Sequence, residues 1–109
     1  MQSDQHAIDL ERLRGAADKA HALLKTLGNR DRLLLLCQLA EGERKVGELE
    51  AALGIVQPTL SQQLSVLRRE GMVSTRREGK QIYYRITSQE ALAVINTLYQ
   101  LFCVEGDGL

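Results

Sequence analysis

The 109-residue sequence predicts a mainly α-helical single domain carrying one β-hairpin ahead of its last helix. Three observations lead there. Apolar residues recur at spacings of three and four through most of the chain, and the period changes to that of β-structure only from Met72 to Ile86. Aromatic residues make up 4% of the chain, so Leu, Val, Ile and Ala must fill the core, which favours helices over a sandwich. The length suits one compact domain with a core hiding ~65% of the unfolded surface, and leaves no room for two. A 44% hydrophobic share and a single proline exclude a linker or a low-complexity chain.

The first helix is expected from about Ala7 to Leu27, where Leu10, Leu13, Ala17, Ala20, Leu24 and Leu27 form a nearly pure seam able to pack within the monomer or against another subunit. Gly28 ends it. Asn29 is the N-cap of a second helix, which runs through Leu33-Leu34-Leu35-Leu36-Cys37 to about Ala40; four consecutive leucines make that helix central. Glu41-Gly42-Glu43 breaks the chain. Val46, Leu49, Ala52 and Leu53 then make a short helix ended by Gly54, and the next helix opens with Pro58 in its first turn, turns Leu60, Leu64 and Leu67 inward and closes at Gly71. Two short helices joined by a tight turn beginning with Gly form a helix-turn-helix. Two β-rich runs, Val73 to Arg77 and Gln81 to Ile86, flank Glu78-Gly79-Lys80 as a hairpin, or wing. Ser88 is the N-cap of a last helix to about Val104, with Leu92, Ile95, Tyr99 and Phe102 on one face and Val94, Leu98 and Leu101 beside it, an arc too wide for a lone surface helix. About six residues at the N-terminus and five at the C-terminus are expected to be flexible.

Zero net charge hides a split. Residues 57–85 hold six basic and two acidic groups, net +4, against eight and twelve in the remainder, net −4. Neutrality overall argues against a bulk polyanion binder, whereas a local basic block can bind phosphates. The start of the chain is polar and acidic, unlike a signal peptide, and no window is long and apolar enough to span a membrane, so the expected location is cytoplasmic.

A helix that enters the major groove needs short polar side chains near its N-terminus. Gln57, Thr59, Ser61, Gln62 and Gln63 provide them, with Arg68 further along; glutamine can pair with adenine, and Thr or Ser can serve bases or phosphates. Arg76, Arg77 and Lys80 flank the hairpin turn, in a geometry suited to a phosphate backbone or a minor groove. Taken alone, the helix reads equally as an amphipathic helix with a polar face and the arginines as solubilising groups. Together in one stretch they point to double-stranded DNA. Of Tyr83 and Tyr84, one must turn inward, and neither is expected to stack on bases.

The run Val46 to Leu64, followed by Leu67-Arg68-Arg69-Glu70-Gly71-Met72-Val73 and Arg76 to Ile86, resembles the ArsR/SmtB family of bacterial winged-helix repressors, with Arg32 and the leucines after it falling on that family's second helix. The likeness covers residues 12–103. It implies a homodimer, joined by the first and last helices, that represses a promoter by binding an operator, expected to be an imperfect palindrome, until an inducer arrives. Gln63 departs from the family pattern, in which many members carry His, and this bears on base preference.

The family's metal sites find few ligands here. The thiol-rich set of the third helix would fall near Val46 to Glu50, which has no Cys, and the set of the last helix within Ser88 to Val104, which has no His or Asp. His6 and His21 lie fifteen residues apart on the first helix, leaving only a subunit-bridging site with Cys37 or Cys103. No cofactor is expected. Singly, Cys37 and Cys103 each read as a small core residue. As a pair on the second and last helices they match the dithiol branch of the family, the BigR-, SqrR- and HlyU-like regulators, which implies a redox switch in which a disulfide or polysulfide bridge forms in response to reactive sulfur or another oxidant. An enzyme is not expected, because there is no Cys-x-x-Cys, no βαβ context and no phosphate-type Gly loop. Beside the redox repressor stand three other readings: a metal-responsive repressor, a thiol oxidoreductase, and a winged helix that binds only proteins.

Overall fold

The computed structural model describes residues 9–103. Among the described residues, five helices and three strands follow in the order α1 (Leu10–Leu27), α2 (Arg30–Ala40), β1 (Arg44–Lys45), α3 (Val46–Leu53), α4 (Thr59–Arg69), β2 (Val73–Glu78), β3 (Gln81–Ile86) and α5 (Gln89–Phe102). The expected helix start at Ala7, His6, the expected flexible ends and Val104 lie outside the described residues.

The caps read from sequence set the helix starts. The Asn29 side chain accepts from the Arg32 backbone N–H at 3.0 Å and the Ser88 hydroxyl from that of Ala91 at 3.0 Å, each satisfying a donor that its first turn cannot. Helix α3 ends at Gly54 in the left-handed conformation, φ 70°, its N–H donating to the Glu50 carbonyl at 2.9 Å. That conformation turns the chain sharply enough for α4 to follow α3. Helix α4 begins at Thr59, with Pro58 just outside it.

The hairpin pairs Val73 with Ile86 through to Glu78 with Gln81, turning at Gly79, φ 63°, and Lys80. The third strand was not expected. Arg44 and Lys45 pair with Tyr84 and Tyr83, giving the order β1-β3-β2, and two charged residues offer no period by which such a strand could be read. This edge ties the base of the wing to the start of the helix-turn-helix.

Leu35, Leu36 and Leu39 of α2 lie at the centre of the core, surrounded by Leu27, Leu49, Ile55, Leu60, Leu64, Leu67, Val73 and Ile95. Truncating Leu36, wholly buried, should leave a cavity and cost about 3 kcal/mol, read as a lower urea midpoint for Leu36→Ala at unchanged slope. The seam of α1 behaves differently. Only Leu27 of that stripe is buried, while Leu10, Leu13 and Leu24 stand 47%, 58% and 59% exposed and Ala17 and Ala20 are also open. The end of α5 adds Tyr99, Leu101 and Phe102, the last 79% exposed. Two apolar faces of one small domain are therefore left without cover.

Candidate nucleic-acid interface and thiol pair

Burial of Leu60, Leu64 and Leu67 fixes the rotation of α4 and turns Gln62 to solvent. Gln57 works as a side-chain cap: its Oε1 accepts from the Ser61 backbone N–H at 3.1 Å and from the Ser61 hydroxyl at 2.7 Å. Thr59 is half-buried beside it, and Arg68 is exposed in the last turn. Gln63, also half-buried, accepts at Oε1 from an Arg32 guanidinium N–H at 2.8 Å. A bidentate adenine contact requires both the oxygen and the nitrogen of an amide. Gln57 and Gln63 have their oxygens engaged within the protein, so of the three expected glutamines only Gln62 has an amide with no hydrogen-bond partner among the described residues.

The wing divides in the same way. Arg77 and Lys80 are exposed and make no salt bridge among the described residues. Arg76, read from sequence as a third DNA contact, is exposed but engaged by neighbouring side chains of the protein. Its Nε and one terminal nitrogen grip both oxygens of Glu43 at 2.8 Å, its other terminal nitrogen reaches Glu78 at 3.0 Å, and its guanidinium lies 4.4 Å from the Tyr83 ring centre. These bonds hold the Glu43 carboxyl below the usual carboxylate range and push the Arg76 guanidinium up. The Arg76–Tyr83 pairing follows from the hairpin register, whereas Glu43, thirty-three residues away, gave no local signal. Tyr84, opposite Thr75, is the inward tyrosine and packs on the core.

Cys37 and Cys103 are both free thiols in unlike surroundings. Cys37 is half-buried against the core on α2; Cys103 is exposed at the end of α5, the helix that packs on α2. Burial, and secondarily the nearby charge of Cys103, pushes the Cys37 thiol up. One accessible sulfur thus stands near one shielded sulfur. Among the described residues no three of His, Cys, Asp and Glu converge where a metal ion could be held, and no helix is long and apolar enough to cross a membrane.

A helix-turn-helix with a polar outer face, followed by a hairpin with basic residues at its tip, defines a winged-helix DNA-binding regulator rather than an enzyme. The model of the family described as "Bacterial regulatory protein, arsR family" matches residues 29–75. The chain is 52% identical over 102 residues to the biofilm growth-associated repressor of Agrobacterium fabrum, spanning 94% of this chain and 87% of that relative. It is similar to the crystal structure of the transcriptional repressor BigR from Xylella fastidiosa, with TM-score 0.81 and 53% identity over 87% of this chain and 97% of that one. Reduced HlyU from Vibrio cholerae matches with TM-score 0.82 and 40% identity over 86% and 99%. The chain belongs to the arsR family of bacterial regulatory proteins, DNA-binding regulators that include homodimers.

Proposed function

We propose that this protein is a homodimeric transcriptional repressor that holds a palindromic operator while Cys37 and Cys103 are reduced and releases it when they are bridged. The observation that carries the proposal is the unequal thiol pair, exposed Cys103 near half-buried Cys37 on neighbouring helices. The Cys103 thiolate attacks a sulfur of an external disulfide or polysulfide, R–S–S–R′, forming Cys103–S–S–R and expelling R′–S⁻. The Cys37 thiolate then attacks the Cys103 sulfur and expels R–S⁻. Both thiol protons pass to solvent, two electrons pass to the sulfur donor, and one disulfide joins α2 to α5; a polysulfide donor that leaves Cys103–S–S–S–R allows attack on the middle sulfur, which expels R–S⁻ and keeps one extra sulfur in the bridge. Such a link fixes the end of α5 to α2 beside the uncovered apolar face, so it can alter the spacing of two recognition helices that must match DNA at about 34–36 Å. The solved relative described as reduced is consistent with this chemistry.

DNA contacts should divide by type. Gln62→Ala should cost ~1–3 kcal/mol at particular base pairs, while Arg77→Ala or Lys80→Ala should weaken every duplex and lower the salt slope by ~1 per contact per subunit. Titrations on operator and scrambled DNA at several salt concentrations separate the two. Equal losses on both DNAs for the Gln62 change would remove it from the base-reading face.

A further inference from the structure

Arg32 sits at the junction of the helix expected to join two subunits and the helix expected to read DNA. Its Nε–H donates to the Thr26 carbonyl at 2.6 Å and one terminal nitrogen reaches the Lys25 carbonyl at 3.5 Å, both in the last turn of α1, while its other terminal nitrogen donates to Gln63 of α4 at 2.8 Å. A guanidinium suits this place, because the last carbonyls of a helix have no partner within it and carry its negative dipole end. It also fixes the Gln63 amide: an arginine only donates, so the amide oxygen must face it. Ala22 and Lys25 of α1 and Val66 and Arg69 of α4 line one cleft of about 450 Å³, with Arg32 bridging the two helices there.

Geometry gives this junction leverage. From Leu10 to Ala22 every residue of α1 is exposed, and the helix meets the core only through Leu23, Thr26 and Leu27 at its end. Its exit angle is therefore set where Arg32 grips. An 18-residue helix is about 27 Å long at ~1.5 Å per residue, so tilting it by about 10° moves its far end by roughly 5 Å. In a dimer joined through that helix, the same tilt would displace one recognition helix relative to the other.

We propose that Arg32 is a positioning residue for operator recognition: with Gln63 it latches α4 to the root of α1 and sets the half-site spacing the dimer accepts, and Gln63 belongs to that latch rather than to the base-reading face. The proposal rests on the reading of the chain as a dimeric DNA-binding regulator. Its test starts with selection of the wild-type full chain on a random duplex pool, followed by affinities for the enriched palindrome and for versions with the half-sites one base pair closer or farther apart. Wild type should lose at least ~10-fold on the displaced half-sites. Arg32→Met and Gln63→Met should each bind the selected spacing ~10-fold more weakly, narrow the preference among spacings to within about threefold, and leave base preferences unchanged; the double variant should be no worse than either single one. Gln63→Met keeps the Arg32 bonds to α1 and decides the matter should Arg32→Met not fold. A Gln63→Met protein with wild-type spacing preference and a changed preference at one base pair would overturn the latch and make Gln63 a base reader. Additive losses in the double variant would also overturn it. Wild type that enriches no palindrome would instead overturn the operator-binding reading itself.

Discussion

Placing a carboxylate on the outward seam of α1, as in Ala17→Asp, should yield a folded monomer with operator affinity reduced by about 10²–10⁴-fold, the range by which two linked binding modules exceed one. Ala17 is exposed in the isolated chain, so the substitution leaves the core untouched, and its effect must come from the partner. A subunit interface packed on Leu10, Leu13 and Leu24 would bury that carboxylate without a counter-charge. The same change on the neighbouring apolar arc of α5, Leu98→Asp, should act in the same direction. Sedimentation velocity and DNA titration on the same samples check both halves of the expectation. A micromolar monomer that binds a palindrome as tightly as wild type would show that the exposed seams do not join subunits.

The second large effect concerns the thiols. Cys37→Ser and Cys103→Ser should each bind DNA as the reduced wild type does, because neither residue lies on α4 or the wing, and neither should be released by a polysulfide or disulfide donor, because the bridge needs both sulfurs. Full release of either variant would reduce the sensor to a single cysteine or to none. The unequal environments add a pH dependence. Burial disfavours the Cys37 thiolate, the species that makes the second attack, so bridge closure should quicken as pH rises through the ordinary thiol range and continue to quicken above it. Acid-quenched time courses of wild type after one pulse of donor read this directly. A closure rate that levels off below the ordinary thiol range would mean that Cys37 is not the attacking group.

Much of this fold was legible because local chemistry and global packing agree in it. Asn29, Gly54, Gly79 and Ser88 mark their boundaries through caps and backbone conformations that depend only on neighbours in sequence, and the period of Leu60, Leu64 and Leu67 sets the outer face of α4 before any tertiary contact is known. What escaped are the long-range polar contacts. Strand β1 exists because Arg44 and Lys45 find Tyr84 and Tyr83; Arg76 is engaged by Glu43, which lies across from it; the Gln63 amide oxygen is engaged by Arg32, which approaches from α2. Charge and polarity along the chain identify a candidate for a phosphate or a base, but a carboxylate or guanidinium arriving from another element decides whether that group is available. The thiol pair is intermediate. Its two helices were legible, while the contrast between a shielded Cys37 and an open Cys103 depends on how α5 ends over α2.

The most direct measurement is intact-mass spectrometry coupled to operator binding, on reduced protein exposed in parallel to polysulfide, peroxide and oxidised glutathione with chelator present throughout. The expected result is that the fraction released from DNA equals the fraction whose single chain has lost two hydrogens, with or without a gain of whole sulfur atoms, with the link mapped to Cys37 and Cys103, and that a reductant restores both mass and binding. Release with both thiols unmodified, or a bridged protein that still holds its operator with undiminished affinity, would contradict the switch.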